Sequence, residues 1–517
     1  MNPESLAHLN QFPTLTRRDF GRMVAALGML GYIDGTTAAM ALTEDKRRLG
    51  WLSNRAAGAE GVWDLADIEG AIPKELDGTL YRIAPGQKET FGVTLNHLFD
   101  GDAFVSGYSI RDGKVRLRAK FVETPQRLEE LAAGRMIYNE FGTLAPPAAE
   151  GAPKPKYQGK NQPSVNVIAY DGRLLGLSEG GHPTAIDPKD LSFAGYWDFY
   201  GTLPASMPFT AHPKFDPNTG DMYAYGVMQG PTMALTVYRM EPNGKLTQLF
   251  SIPQKGYFMV HDMFMSKEHL IFAIPPVRFN VGEMFSGKAT PAMALRWFEN
   301  EPLRFVIMRR DGTGKPVTIE QPASMVFHNG NAFEWGENLV LDTFLSPDGT
   351  VLDMLSKWSA GNDIPEYPGP KATRLVLNPA TGAVVSRTEF AADQEFPRFD
   401  IRRSGEDLKY LYVAGAGIPD DPLAVPSIVR HDFATKTSAK IDAGKGRTYG
   451  ETVFVAHPGK DAEDAGWLLT LGYDGARDET YLEINDAGSL EFQARVWTGN
   501  HFPLGFHGNF SAGMHVA

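Results

Sequence analysis

Residues 107–122 read GYSIRDGKVRLRAKFV. Apolar and polar positions alternate through Tyr108 and Ile110, break at Asp112-Gly113, and alternate again through Val115, Leu117 and Ala119. Alternation on both sides of an Asp-Gly pair marks a β-hairpin, because that pair tolerates the positive φ of a tight turn. The same form recurs at 184–199 (TAIDPKDLSFAGYWDF), 235–252 (LTVYRMEPNGKLTQLFSI) and 303–320 (LRFVIMRRDGTGKPVTIE). It returns at 372–390, 426–443 and 480–496, making seven hairpins in all. A four-stranded propeller blade takes about 40–50 residues plus loops. The chain therefore reads as an all-β protein, a seven-bladed β-propeller in one domain over residues 42–517. Helical periodicity is scarce, and its best candidate is 124–141 (TPQRLEELAAGRMIYNEF).

Composition fits that reading. Of 517 residues 43% are apolar and 22% charged, the profile of a globular chain rather than a disordered or membrane-spanning one. Net charge is −12 without any long basic run, which argues against nucleic acid as a partner. There is no cysteine, so disulfides, thiolate metal sites and cysteine nucleophiles are all excluded.

The N-terminus reads as an address. Thr16-Arg17-Arg18-Asp19-Phe20 is a twin-arginine pattern, followed by the mildly apolar Met23–Ile33 and by Ala39-Met40-Ala41 as a small-residue cleavage site. The apolar stretch is far shorter than the ~20 residues of a spanning helix. Residues 1–41 are expected to be a signal peptide that sends the chain to the periplasm by the Tat route. The alternative is an ordinary surface helix beginning at Thr16.

Four of the twelve histidines share a setting. His212 follows Phe209-Thr210-Ala211, His261 follows Phe258-Met259-Val260, His328 follows Met325-Val326-Phe327, and His507 follows Leu504-Gly505-Phe506. Each leads into a polar or turn-forming residue, which suits the inner end of a buried strand. Inner strands of a propeller face a common axis, so residues distant in sequence can converge there. Four neutral imidazoles around an axis suit Fe, Cu, Zn or Ni and leave a six-coordinate ion two open positions. Taken singly, each is as well read as a satisfied core histidine. His97 is a competitor, and His182, His269 and His431 sit in hairpin or turn settings expected to meet solvent. Glu179, Glu395 and Glu451 stand in apolar, strand-like surroundings. Each could orient a ligand imidazole through its second nitrogen, or could simply begin a surface turn.

These residues resemble the carotenoid cleavage oxygenase family. The likeness runs in order through Leu80-Tyr81-Arg82 with Pro85-Gly86, His97-Leu98-Phe99-Asp100-Gly101-Asp102, Glu179-Gly180-Gly181 and Thr210-Ala211-His212-Pro213-Lys214. It continues through His261-Asp262, Phe327-His328-Asn329, Glu395-Phe396-Pro397, Glu451 and His507-Gly508. The resemblance implies a seven-bladed propeller under a dome of helices and loops. It implies iron(II) held by His212, His261, His328 and His507, with Glu179, Glu395 and Glu451 behind three of them. It implies O₂-dependent cleavage of the alkene of a carotenoid, apocarotenoid or related lipophilic substrate into two carbonyl products, with a stilbene or phenylpropene as the alternative within the family.

Departures from the family pattern bear on substrate. Ser178 stands where phenol-cleaving members carry a lysine. Val165, in Ser164-Val165-Asn166-Val167, replaces a hydroxyl-bearing residue and makes that wall apolar. Ile83-Ala84 replaces the usual Asn-Gly after Arg82. The apolar segment 275–297 is expected either to touch a membrane surface or to pack as part of the dome. Two other classes compete: a calcium-dependent propeller hydrolase, whose site would be built from oxygen ligands, and a binding propeller without chemistry.

Overall fold

The hairpin at 107–122 is two paired strands, Ala103–Arg111 and Lys114–Phe121, joined through Asp112 at φ 52° and Gly113. Val115, Leu117 and Ala119 are buried, while Lys114 and Arg116 face out. The computed structural model describes residues 49–517 apart from 229–232, 243, 255, 360–366, 392, 416–420 and 422. The twin-arginine segment and the boundary after residue 41 lie outside the described residues.

Seven sheets of four or five antiparallel strands make the blades. Blade 1 runs from inside outward as Gly508–Ala512, Gly78–Pro85, Ala103–Arg111, Lys114–Phe121 and Gly61–Leu65. The innermost strands of blades 2 to 7 are Asn166–Tyr170, Lys214–Phe215, Met263–Met265, Asn329–Trp335, Glu395–Arg398 and Arg447–Ala456. Each of the seven expected hairpins is the third and fourth strand of its own blade. The ring closes at both chain ends. Gly508–Ala512 forms the inner edge of blade 1, and Ile68–Gly70 adds an outer strand to blade 7.

Packing between blades is apolar. Between blades 1 and 7, Leu80, Phe104 and Tyr108 meet Leu469, Leu482 and Val496 in one buried cluster. Over the ends where the inner strands begin lies a dome of loops, short helices and the small sheet Tyr257–Phe258, Val277–Phe279 and Leu295–Trp297.

The helix expected over 124–141 is Pro125–Ala133. Thr124 caps its start by accepting from Arg127 N at 3.3 Å, and Gly134 ends it in the left-handed region at φ 61°. Sequence reading missed Thr350–Ser359, a helix that lies over the site. Segment 275–297 is folded into the dome, with Val277 and Ala294 fully buried, yet Met293 is 50% exposed and Phe298 beside it 38%. Among the described residues no helix is long and apolar enough to cross a membrane.

A candidate metal centre on the propeller axis

The entry to every inner strand is one position repeated seven times around the axis. In blade order these positions hold His507, Val165, His212, His261, His328 and Glu395 in six blades, while blade 7 contributes Glu451 from inside its strand, at the bulge between Tyr449 and Thr452. Strand direction places all seven at the same end of the axis. The four histidines each offer one ring nitrogen, and these atoms lie within 4.8 Å of one another. Nε2 of His261 is 3.1 Å from that of His212 and 3.3 Å from that of His328, which is 3.0 Å from Nε2 of His507.

The outer nitrogens explain this crowding. His328 Nδ1 donates to Glu395 Oε2 at 2.5 Å, and His507 Nδ1 donates to Glu451 Oε1 at 2.8 Å. His261 Nδ1 lies 2.8 Å from Glu179 Oε1. Among the described residues no carboxylate pairs with His212. A neutral imidazole that donates through Nδ1 turns a bare lone pair inward at Nε2. Lone pairs facing one another at 3.0 Å repel, and a cation between them removes the conflict. The residues therefore fit a metal ion. An all-nitrogen donor set suits a transition metal and not calcium, which takes oxygen ligands.

Burial disfavours the charged form of His212 and His507. It pushes His212 well below the ordinary range, with the neighbouring imidazoles adding to the shift. It takes His507 down to about 3, despite Glu451. Burial also works against the charged form of His328, but Glu395, with Asp262 and Glu451, more than offsets it and the balance is upward. Glu451 is pushed up by burial and pulled further down by Arg398, His507 and Arg82, so it stays a carboxylate.

Arg82 and Arg398 escaped the sequence reading as site residues. Arg82 Nη1 donates to Glu451 Oε2 at 2.9 Å, and Nη2 donates to the carbonyls of Leu504 and Phe506 at 2.8 and 3.2 Å. Arg398 Nε donates to Glu451 Oε1 at 2.9 Å, and its Nη2 to the Gly508 carbonyl at 2.8 Å. The two guanidinium groups thus hold the loop that delivers His507. Gly508 is required by the same contact, since a Cβ there would overlap the Tyr81 carbonyl and Arg82 Cδ.

Two cavities meet at the centre. On the dome side one of about 350 Å³ is lined by His261, His328 and His507 together with Val165, Phe327, Leu355 and Phe506. Among the described residues no lysine or arginine lines it. Along the axis a second of about 670 Å³ reaches His212, His328 and His507. Phe396 lines both, with its ring 5.1 Å from that of His328 and 5.3 Å from that of His507. Its backbone sits in the left-handed region at φ 55°, where its N–H donates to Glu395 Oε2 at 2.9 Å. Such strain in a bulky residue collects at functional sites.

Comparison with known proteins agrees with this geometry. The sequence model of the family described as retinal pigment epithelial membrane protein matches residues 55–512. The chain belongs to the carotenoid cleavage oxygenase family. It is 30% identical over 462 residues to the apocarotenoid-15,15'-oxygenase of Synechocystis, covering 87% of this chain and 94% of that one. It is 27% identical to resveratrol cleavage oxygenase 1 of Aspergillus fumigatus, covering 88% of this chain and 94% of that one. The crystal structure of the cobalt-substituted Synechocystis oxygenase superposes with a TM-score of 0.82 at 28% identity, covering 90% of this chain and 98% of that one.

Within this carotenoid cleavage oxygenase fold, Val165 takes in blade 2 the strand-entry position that blades 1, 3, 4, 5 and 6 give to histidine or glutamate. Ser178 is half-buried beside Glu179 and does not line the dome-side cavity. His97 is buried away from the cluster, its Nδ1 accepting from Phe99 N at 3.1 Å between the rings of Phe99 and Phe141. His182 and His269 are part-exposed. His431 is not the solvent-facing residue its hairpin suggested. It is 1% exposed and bonded to Ser438 and Gln394, because the second strand of its hairpin and Phe390 at the edge of the preceding blade cover it.

Proposed function

We propose that the protein is an iron(II)-dependent dioxygenase that cleaves an alkene of a lipophilic substrate into two carbonyl products. The observation that carries this reading is the set of four convergent imidazoles opening onto an apolar cavity. Iron(II) supplies what closed-shell metals lack, an electron for dioxygen. The chain's own part is to bind, align and keep dry. Val165, Phe327, Leu355 and Phe506 form a wall on which a polyene lies against the metal centre and from which water is excluded. Glu395 and Glu451 fix their imidazoles in one tautomer and oppose the charge of the ion.

The cavity favours a long apolar polyene such as an apocarotenoid, the substrate class named for the Synechocystis relative. The Aspergillus relative is named for resveratrol, but a phenol finds no cationic side chain in this cavity among the described residues. Mass spectrometry of products from the iron-loaded protein, offered β-carotene, apocarotenals, resveratrol and isoeugenol, tests both points. Absence of any carbonyl product would overturn the activity.

Two further elements belong to this reading. The chain is exported to the periplasm through Arg17 and Arg18, and equal periplasmic yield from a variant with Lys at both positions would refute this. Met293 and Phe298 rest on a membrane surface to collect substrate, and unchanged vesicle binding by Met293→Ser with Phe298→Ser would refute that.

A further inference from the structure

The axial cavity has no part in holding an alkene, yet it runs to the metal centre. It is lined by the inner strands themselves, from His212, His328 and His507 at one end to the exposed Glu75, Asp77 and Ala512 at the other. The inner strands begin under the dome, so this mouth lies on the opposite face of the propeller. Asn166, Asp262, Arg398 and Asn509 punctuate walls that also carry Phe215, Phe399, Val453 and Phe510.

From this we infer that the axial cavity is the path by which the metal ion enters and leaves its site. The inference rests on the metal reading of the four histidines. A divalent cation sheds water only at great cost in an apolar surrounding. The dome-side cavity, at about 350 Å³ against about 670 Å³, leaves a hydrated ion less room, and Val165, Phe327 and Phe506 stand in it beside the histidines. In the axial cavity the ion keeps water and meets oxygen donors. The two cations within it are already matched: Lys214 Nζ lies 2.8 Å from Asp262 Oδ1, and Arg398 Nη2 lies 2.8 Å from Glu451 Oε2. The mouth adds the carboxylates Glu75 and Asp77. His212 faces this cavity and not the dome-side one, and it is the histidine without a paired carboxylate among the described residues. It is the ligand an arriving ion meets with its ring least constrained.

The chain has no cysteine, so one introduced thiol is unique. Ser511 lines the axial cavity, is half-buried, and pairs with Thr79 across the inner strand of blade 1. Metal-free Ser511→Cys protein is reacted with a bulky reagent that attaches through a reducible disulfide, and cobalt(II) uptake is followed by its visible absorption. Labelling is expected to slow uptake about ten-fold or more, the low end of what a charged cleft contributes to an on-rate. Reductant restores the rate, and the final cobalt content is unchanged. Ala512→Cys, one residue nearer the mouth, serves if the first variant does not fold. The same label on Leu423→Cys, in the dome-side cavity, leaves uptake fast. Wild-type uptake by labelled Ser511→Cys and Ala512→Cys, or slowing by the Leu423→Cys label alone, overturns the route. Failure of the unlabelled protein to bind cobalt at all overturns the metal reading, and the route with it.

Discussion

Arg82 donates to Glu451 at 2.9 Å across 369 residues of sequence, and both side chains are 2% exposed. Removing one partner of a buried ion pair costs up to about 3–5 kcal/mol; Glu451 would keep Arg398 and His507, but the Leu504 and Phe506 carbonyls would lose their donor. Arg82→Met is therefore expected to lower the denaturant midpoint sharply and to loosen the 504–506 loop. Arg82→Lys should recover little, since an ammonium cannot reach Glu451 and two carbonyls as a planar fork does. Chemical unfolding measures both, and a wild-type midpoint for Arg82→Met would show that the pair does not stabilise the fold.

Purified protein should hold one iron per chain by elemental analysis. His→Ala at 212, 261, 328 or 507 is expected to abolish activity and sharply lower iron content. His182→Ala is the control, because that ring is part-exposed and, among the described residues, bonded to the Pro204 carbonyl alone. Full iron content in any one of the four variants removes that residue from the ligand set.

Glu179→Gln, Glu395→Gln and Glu451→Gln should each weaken metal affinity or activity by about 10–100-fold. Glu451→Gln should also destabilise the fold, since this carboxylate serves two arginines as well as His507. Affinity measured by metal competition, beside thermal unfolding, separates the two effects.

Three histidines outside the cluster make stability depend on pH. Burial holds His97 at about 3, and His431 and His501 at about 4, against 6.5 in the unfolded chain. A folded pKa below the unfolded one means the folded state resists protonation. The stability from neutral burial is present above pH 6.5 and is lost as pH falls toward 4. The melting temperature should fall across that window, and His431→Gln should flatten the fall. An unchanged slope in His431→Gln would exclude it as a contributor.

For substrates, kcat/KM is expected to favour an apocarotenal over resveratrol. A charge-assisted hydrogen bond contributes about 1.5–3 kcal/mol, so its absence costs a phenol about 10–150-fold. Ser178→Lys should change this ratio little, because residue 178 does not line the dome-side cavity. Equal kcat/KM for the two substrates would show that another group anchors the phenol.

The fold was legible where structure is local. Each hairpin carries its own alternation and turn, so one per blade could be read directly. The innermost strands could not, because Lys214–Phe215 and Met263–Met265 are too short to show a period. Their histidines stood out through a shared apolar approach and a family likeness. Arg82 and Arg398 carried no such signal, since what each does depends on contacts with residues far along the chain. His431 was misread because a hairpin seen alone does not show what the neighbouring blade covers.

Blade 1 is completed by Gly508–Ala512, the strand that follows His507 directly. The fourth imidazole therefore arrives with the last piece of the ring. A ribosome that stops before His507 leaves both an open circle and three donors. Full-affinity metal uptake thus reports that Gly508–Ala512 has joined the sheet of Gly78–Pro85. An assay for bound metal would sort molecules with a closed ring from those cut before His507 without any antibody.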